Sequence, residues 1–374
     1  MKGRMFVVNS ETREKTKKEN IVSVISPNFQ NKRWVQTLSD IMADMLQVEI
    51  GDYIFLWETS EKGKKSRIHG VYRAISKPYY ECISEEDNAP FKIKIEKAYD
   101  FKEPIYEYDV LNNPYIKNEM WTIIGKKVGG KSRGTSPLSL NEIKNLITLL
   151  IDKNKEYEFY DYNPKNIKSV PNPLKIDYSN KGNPVKPKSL KFLNPNDINF
   201  LENNNVRYEK VLEAILNQEI INKNSNLFLQ LGINLDRVVW YSNYLPYSIE
   251  QSEMDYVIFQ SDDGVCINKI FVIELQKNKV DKDHIQRCLI YSKWINETIA
   301  IGANVVQPIL ICFDSYDFIN EKNNKNSNKK KMEEINIFIN NTVEEYKVKD
   351  LQIYKYSFEP DFTFERKRIK SEEF

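Results

Sequence analysis

Cysteine and histidine are scarce in this 374-residue chain, which has four of the first and two of the second. Cys82, Cys266, Cys288 and Cys312 never approach C-x-x-C spacing, and three of them sit inside apolar runs. That argues against a zinc cage and against a disulfide framework, and leaves buried reduced thiols as the expectation. His69 and His284 supply almost no material for a histidine triad or a histidine metal cluster. Any hydrolysis must therefore run on carboxylates, amides and lysines. An excess of one charge is lacking too: 55 Lys+Arg stand against 53 Asp+Glu, a net of +2. A uniformly basic nucleic-acid coat is excluded, and a surface for nucleic acid must come from local segregation of charge. Long apolar runs are missing as well. Stretches such as Ile309 to Phe313 fall far short of the roughly 20 residues that a membrane span needs. Met1-Lys2-Gly3-Arg4 leads into a short strand-like run and not a signal-peptide core, so the expectation is a cytoplasmic protein away from membranes.

What is present is enough apolar material for real cores, 41% hydrophobic against 29% charged residues, at a length that favours two domains with a connector. Strand and helix patterns alternate along the chain, which reads as a mixed α/β (α+β) fold. In the first part, Met5 to Val8 and Tyr53 to Trp57 read as strands. Lys62 to Lys65 reads as a hairpin turn, and Ile68 to Ile75 as the returning strand. Leu38, Ile41, Met42, Met45 and Leu46 recur at helical spacing within Trp34 to Val48. Ser139 and Glu142 form a capping-box pattern ahead of a second helix lined by Ile143, Leu146, Ile147 and Leu150. The stretch 153–199 changes character. It carries six prolines and many Asn and Lys, with no sustained period, and reads as a basic linker or a strap against phosphates. From 200 onward the pattern is helix (Arg207 to Ile221), strands at Asp236 to Tyr241, Met254 to Phe259 and Lys269 to Gln276, helix (Asp283 to Glu297), then strand (Gln307 to Phe313). Lys322 to Lys331 reads as a solvated loop, with a helix-like tail at Glu333 to Tyr346.

The sharpest chemical signal lies in the third of those strands, Phe271-Val272-Ile273-Glu274-Leu275-Gln276-Lys277. A glutamate after four large apolar residues is costly unless something pairs with it. Alternation puts Glu274 and Gln276 on one face, and a hairpin through Asp263-Gly264 is able to bring Asp255 beside Glu274. Two converging carboxylates either repel or share a cation, and oxygen-only ligands suit Mg²⁺ or Mn²⁺. This arrangement, over Phe200 to Asp317, resembles the PD-(D/E)XK nuclease superfamily, most closely its NucS- and RecB-like branch.

The resemblance implies Asp255 and Glu274 as metal-binding acids, with Glu209 or Glu213 as the first-helix acid. Gln276 stands where that family usually has lysine, Lys277 or Lys279 is a neighbouring source of positive charge, and Gln286 and Tyr291 match polar positions of the second helix, at a spacing one residue longer than usual. The implied reaction is Mg²⁺-assisted hydrolysis of DNA phosphodiester bonds.

The first part carries aromatics and a basic glycine loop. Trp34 opens a helix, Trp57 ends a strand, and Trp121 precedes Lys126-Lys127-Val128-Gly129-Gly130-Lys131-Ser132-Arg133-Gly134. That loop holds four cations and no acid, and its glycines allow backbone to approach phosphate. The run "GD-(apolar)₄-W", the strand "HGVYRA" and the later "RGTSPLS" look like the EVE/YTH branch of PUA-like folds, over Met1 to Lys153. The resemblance implies a β-barrel with flanking helices. It also implies an aromatic cage for a flipped modified base, with Trp34, Trp57 and Trp121 as candidates and Lys126, Lys127, Lys131 and Arg133 as contacts to nucleic acid.

Together these imply a recognition domain at 1–152, a linker at 153–199 and a nuclease domain at 200–374, as in a modification-dependent restriction or defence enzyme acting on double-stranded DNA. A structure-specific or repair nuclease, and a non-catalytic binding protein on a degenerate nuclease fold, are the alternatives. Many nucleases of this fold pair to cut both strands, so a homodimer is among the expectations; no segment marks its seam, and the tail Glu333 to Tyr346 is one candidate.

Overall fold

The computed structural model describes residues 2–25, 33–59, 65–82, 88–123, 134–154, 158–159, 173–174, 185–190, 201–247, 252–316, 325–359 and 361–367. The chain divides into two compact units, Met1–Leu193 with Ser248–Ser252, and Asn194–Tyr247 with Glu253–Phe374. Both mix helix and strand.

In the first unit, β1 (Gly3–Val8), α1 (Ser10–Glu19), β2 (Ile21–Val24), α2 (Trp34–Leu46), β3 (Tyr53–Glu58), β4 (Arg67–Ala74), β5 (Tyr79–Cys82) and β6 (Phe91–Lys97) precede β7 (Thr135–Leu138), α3 (Leu140–Lys153) and β8 (Val185–Leu190). They build one ten-stranded sheet, whose main path runs from Pro173–Leu174 through β8, β5, β6, β4, β3 and β1 to β7. β2 joins it on β6, and Ile105–Tyr106 joins on β4. Three pieces of the stretch read as linker are strands: Glu158–Phe159, which pairs antiparallel with Tyr99–Asp100, and the two that join this sheet, of which β8 pairs antiparallel with β5. Proline and lysine hid them, because neither gives the period of a half-buried strand. Helix α1 and strand β2 also escaped the sequence reading, for α1 is polar all round and β2 is only four residues long.

The apolar positions of α3 lie where their spacing puts them. Ile143, Leu146 and Leu150 are buried in a core with Met5, Phe55, Trp57, Ile68 and Val71. A Cβ at position 3 would sit 2.6 Å from Ile143 Cδ1, so any larger residue there would make that side chain shift. The capping box is formed: Ser139 Oγ accepts from the Glu142 N–H at 3.2 Å, and Glu142 Oε2 accepts from the Ser139 N–H at 2.9 Å.

In the second unit, α4 (Glu209–Ile221) leads to β9 (Val238–Tyr247), β10 (Ser252–Ser261), β11 (Ile267–Val280), α5 (Lys282–Thr298), β12 (Val306–Tyr316), α6 (Lys325–Tyr346), β13 (Gln352–Ser357) and β14 (Thr363–Lys367). The six strands lie in sequence order. β11, β12 and β13 run parallel, joined by α5 and α6, while β10 and β14 pair antiparallel to their neighbours. A central parallel strand is covered on both faces, which is why Ile270 to Ile273 and Leu275 are all buried. The stretch Lys322 to Lys331, expected as a loop, enters helix at Lys325. Lysine is a good helix former, so a polar run before an amphipathic segment propagates its helix backward. Cys82, Cys288 and Cys312 are buried thiols and Cys266 is exposed. No helix among the described residues is long and apolar enough to cross a membrane.

Candidate functional site

Three elements of the second unit deliver acids to one place. Glu209 and Glu213 stand one helical turn apart on α4, and Asp255 lies on β10. One carboxylate oxygen from each lies within 4.8 Å of the other two. Glu274 comes from β11, one step beyond the Tyr256–Ile273 pair of the β10–β11 ladder. The adjoining Leu275 N–H donates to Asp255 Oδ2 at 2.7 Å, so the edge of the ladder orients the aspartate. Asp255 and Glu274 thus stand on neighbouring strands one step beyond that pair, with Glu274 beside the three-acid group and not within it. Of the two first-helix candidates, both face it: Glu213 is fully buried and Glu209 half-buried.

Such crowding is electrostatically expensive. Burial, and then the charge of Asp255, pushes Glu209 up to about 7. Burial raises Asp255 against the pull of Lys210, of the Leu275 N–H and of Arg287. Burial raises Glu274 well above the carboxylate range, with Asp255 and Glu209 adding to it and Arg287 opposing. Among the described residues, Lys210 Nζ lies 2.6 Å from Glu213 Oε1, and Arg287 Nη2 pairs with Glu274 Oε1. Glu209, Glu213 and Asp255 each bring one oxygen within reach of a single ion, and Glu274 lies beside that group and not within it. Glu274 Oε2 is buried with no hydrogen-bond partner. Three carboxylate oxygens within 4.8 Å of one another are the hard donors that a divalent cation accepts.

The remaining residues expected here are placed differently. The Gln276 amide is directed at the His284 ring. Lys277 Nζ donates to the Arg207 carbonyl at 2.9 Å, and Lys279 is exposed. Gln286 is exposed on α5, and it is the next residue, Arg287, that reaches Glu274. Tyr291 is buried and sits near Arg287. Lys210, His284 and Arg287 were missed from sequence. The signal for two of them was His284 and Arg287 at i, i+3 on the helix that follows Glu274.

The first unit holds a second feature, a cavity of about 160 Å³ lined by Val24, Thr37, Asp40, Ile41, Asp44, Met45, Gly134 and Thr135. Asp44 is buried in mid-helix, 3.5 Å from Arg4 Nη1, which donates to Thr135 Oγ1 at 2.8 Å. A chain of Asp44, Arg4 and Thr135 thus fixes the wall between α2, β1 and β7. None of the three candidate tryptophans is among its lining. Trp57 is packed in the core, and Trp34 and Trp121 are half-buried. Lys126, Lys127, Lys131 and Arg133 lie outside the described residues.

No family model and no curated protein matches the chain. Among solved structures, a hypothetical protein from Leishmania major is similar at 8% identity and a TM-score of 0.30, over 41% of this chain and 96% of that one. Human THYN1, in complex with 5-methylcytosine-containing DNA, is similar at 14% identity and 0.27, over 40% and 98%. The YTH domain of Zygosaccharomyces rouxii MRB1, in complex with N6-methyladenosine RNA, is similar at 16% and 0.26, over 40% and 86%. Likenesses this distant carry no argument about activity.

Proposed function

We propose that this chain is a metal-dependent endonuclease that hydrolyses DNA phosphodiester bonds at the acidic cluster of its second unit, on DNA selected by the first. The observation that carries the reading is the convergence of Glu209, Glu213 and Asp255 beside buried Glu274, whose second oxygen has no partner. A purely structural role would leave these acids buried together, above the ordinary carboxylate range, at a standing cost.

In this reading Asp255 and Glu274 hold Mg²⁺ or Mn²⁺, with Glu209 and Glu213 closing the site from α4. The bound cation supplies Lewis acidity and lowers the pKa of a water. The chain itself does the positioning. The Leu275 N–H aims Asp255, Lys210 aims Glu213, and the apolar residues of β11 around Glu274 keep the carboxylates dry, where their charge acts most strongly.

For the first unit the reading is recognition of a base in the cavity of about 160 Å³. Two aspartates in the lining favour an occupant that donates hydrogen bonds, such as the exocyclic amino group of cytosine or adenine. Modified cytosine or adenine in duplex DNA is the substrate class this points to, and a restriction or defence role is what such selection would serve.

The test is cleavage, with and without Mg²⁺, of matched duplexes carrying plain, methylated, hydroxymethylated or glucosylated cytosine, or N6-methyladenine. Mg²⁺-dependent cutting confined to one modified substrate supports both halves. Equal cutting of all keeps the nuclease and removes the selective reader, and cutting that survives Glu274→Ala removes this site.

A further inference from the structure

A phosphodiester that is being cut accumulates negative charge on its oxygens, and an electrostatic partner preorganised at that point lowers the barrier. The strand that carries Glu274 offers no such partner. Gln276 is neutral and directed at His284, Lys277 is committed to the Arg207 carbonyl, and Lys279 stands exposed beyond it. On α4, Lys210 is spent on buried Glu213.

Arg287 is placed otherwise. It lies one turn after His284 on α5, so the same helix face that meets Gln276 also meets Glu274. Its guanidinium spans from buried to open: the Glu274 side chain is 3% exposed, whereas that of Arg287 is 45% exposed. Nη2 is held by Glu274 Oε1, and the other donors of the planar fork take no partner among the described residues. A guanidinium anchored at one corner and open along another edge matches the bidentate geometry of a phosphate. Because its charge is permanent, it needs no proton from the crowded acids.

We propose that Arg287 is the catalytic cation of this site, donating from its free edge to the non-bridging oxygens of the reacting phosphate while Glu274 positions it. A cation borne on the following helix thus does the work that Gln276 is unable to do from the strand. The inference rests on the nuclease reading above.

The experiment compares the full-length protein with Arg287→Lys and Arg287→Gln in three measurements: Mg²⁺-dependent cleavage under single turnover, on the duplex of the panel above that is cut fastest; Mn²⁺ affinity by calorimetry; and binding of a 5′-phosphorylated dinucleotide in the presence of Mn²⁺. The expected result is a loss of about 100-fold or more in the cleavage rate of Arg287→Gln, partial recovery in Arg287→Lys, weaker dinucleotide binding, and Mn²⁺ affinity unchanged or tighter. A wild-type cleavage rate in Arg287→Gln overturns the proposal, and so does a fall in Mn²⁺ affinity that accounts for the whole loss, since Arg287 would then only organise Glu274. If the unaltered protein cuts nothing, the nuclease reading fails by itself. Dinucleotide binding then decides for Arg287 alone: equal affinity in wild type and Arg287→Gln overturns it.

Discussion

Each unit buries carboxylates, and it does so in opposite ways. In the first, Glu142 is fully buried yet accepts from the Thr122 N–H at 2.7 Å, the Ser139 N–H at 2.9 Å and the Thr122 hydroxyl at 3.2 Å. Glu58, equally buried, is ringed by Ser10 at 2.7 Å, His69 at 2.7 Å and Arg67 at 2.8 Å, with Arg13 at 3.5 Å. In the second, Glu209, Asp255 and Glu274 lie against one another as well as against Lys210 and Arg287, and burial leaves all three above the ordinary carboxylate range. A buried carboxylate with its own set of donors is part of the scaffold, because every lone pair is answered within the fold. Carboxylates that face each other are answered only when something positive arrives. The two arrangements have the same residue type and opposite consequences for removal.

The comparison breaks most visibly in activity. Asp255→Asn and Glu274→Gln are expected to lower Mg²⁺-dependent cleavage by at least about 100-fold, while thermal unfolding is unchanged or moves upward because like charges have been relieved. A large drop in melting temperature for either variant would place that acid with the scaffold group.

Glu58→Gln should do the reverse. Despite its burial, the hydroxyl, His69 and the two arginines hold this carboxyl down at about 2. A depressed folded-state pKa means stability that is present above the unfolded value of 4.5 and is lost as pH falls toward 2. The variant is expected to be destabilised by about 3 kcal/mol at pH 7, and to differ less from wild type at pH 3, as read by denaturant unfolding. Cleavage by the surviving folded fraction should be unaltered.

Glu142 gives an opposite slope within the same unit. Burial outweighs its three donors and pushes it up to about 7. The folded state then keeps a proton that the unfolded state has lost, so stability falls as pH rises from 4.5 to about 7, by about 3 kcal/mol. His69, held at about 4 by burial, contributes the contrary slope between about 4 and 6.5. Glu142→Gln should therefore make the change of stability from pH 5 to pH 7 less negative than in the wild type, measurable by chemical denaturation at the two values. A slope unchanged by the variant would show that its donors, and not its burial, set its ionisation.

The smallest expected effect is on melting. Mg²⁺ at 100 times its dissociation constant should stabilise the second unit by about 2.7 kcal/mol, reversed by chelation and absent in Glu274→Gln. Stabilisation that persists in that variant would put the cation elsewhere.

Sequence alone determined a good deal of this. The 3.6-residue spacing placed α2 and α3, the capping box was legible at Ser139 and Glu142, and the isolated Glu274 in an apolar run marked the site and implied Asp255 as its partner. All of these are local signals, within a helix, a cap or a single hairpin. Trp57 shows the limit: an aromatic reads the same whether it lines a pocket or fills a core, and only packing against Met5, Phe55 and Ile68 separates the two. The strand at 185–190 was unreadable because its pairing partner, at Tyr79–Cys82, lies about a hundred residues away, and the two-residue strand at 173–174 exists only by pairing with 185–190 in turn. Tertiary structure decided which cation meets Glu274. Gln286 and Arg287 are neighbours in the chain, and a helix turns each residue by about 100°, so the direction in which α5 docks on β11 gives the acid to Arg287 and leaves Gln286 to solvent. It also decided that Glu209 and Glu213 both face the cluster, because that depends on where α4 crosses the sheet.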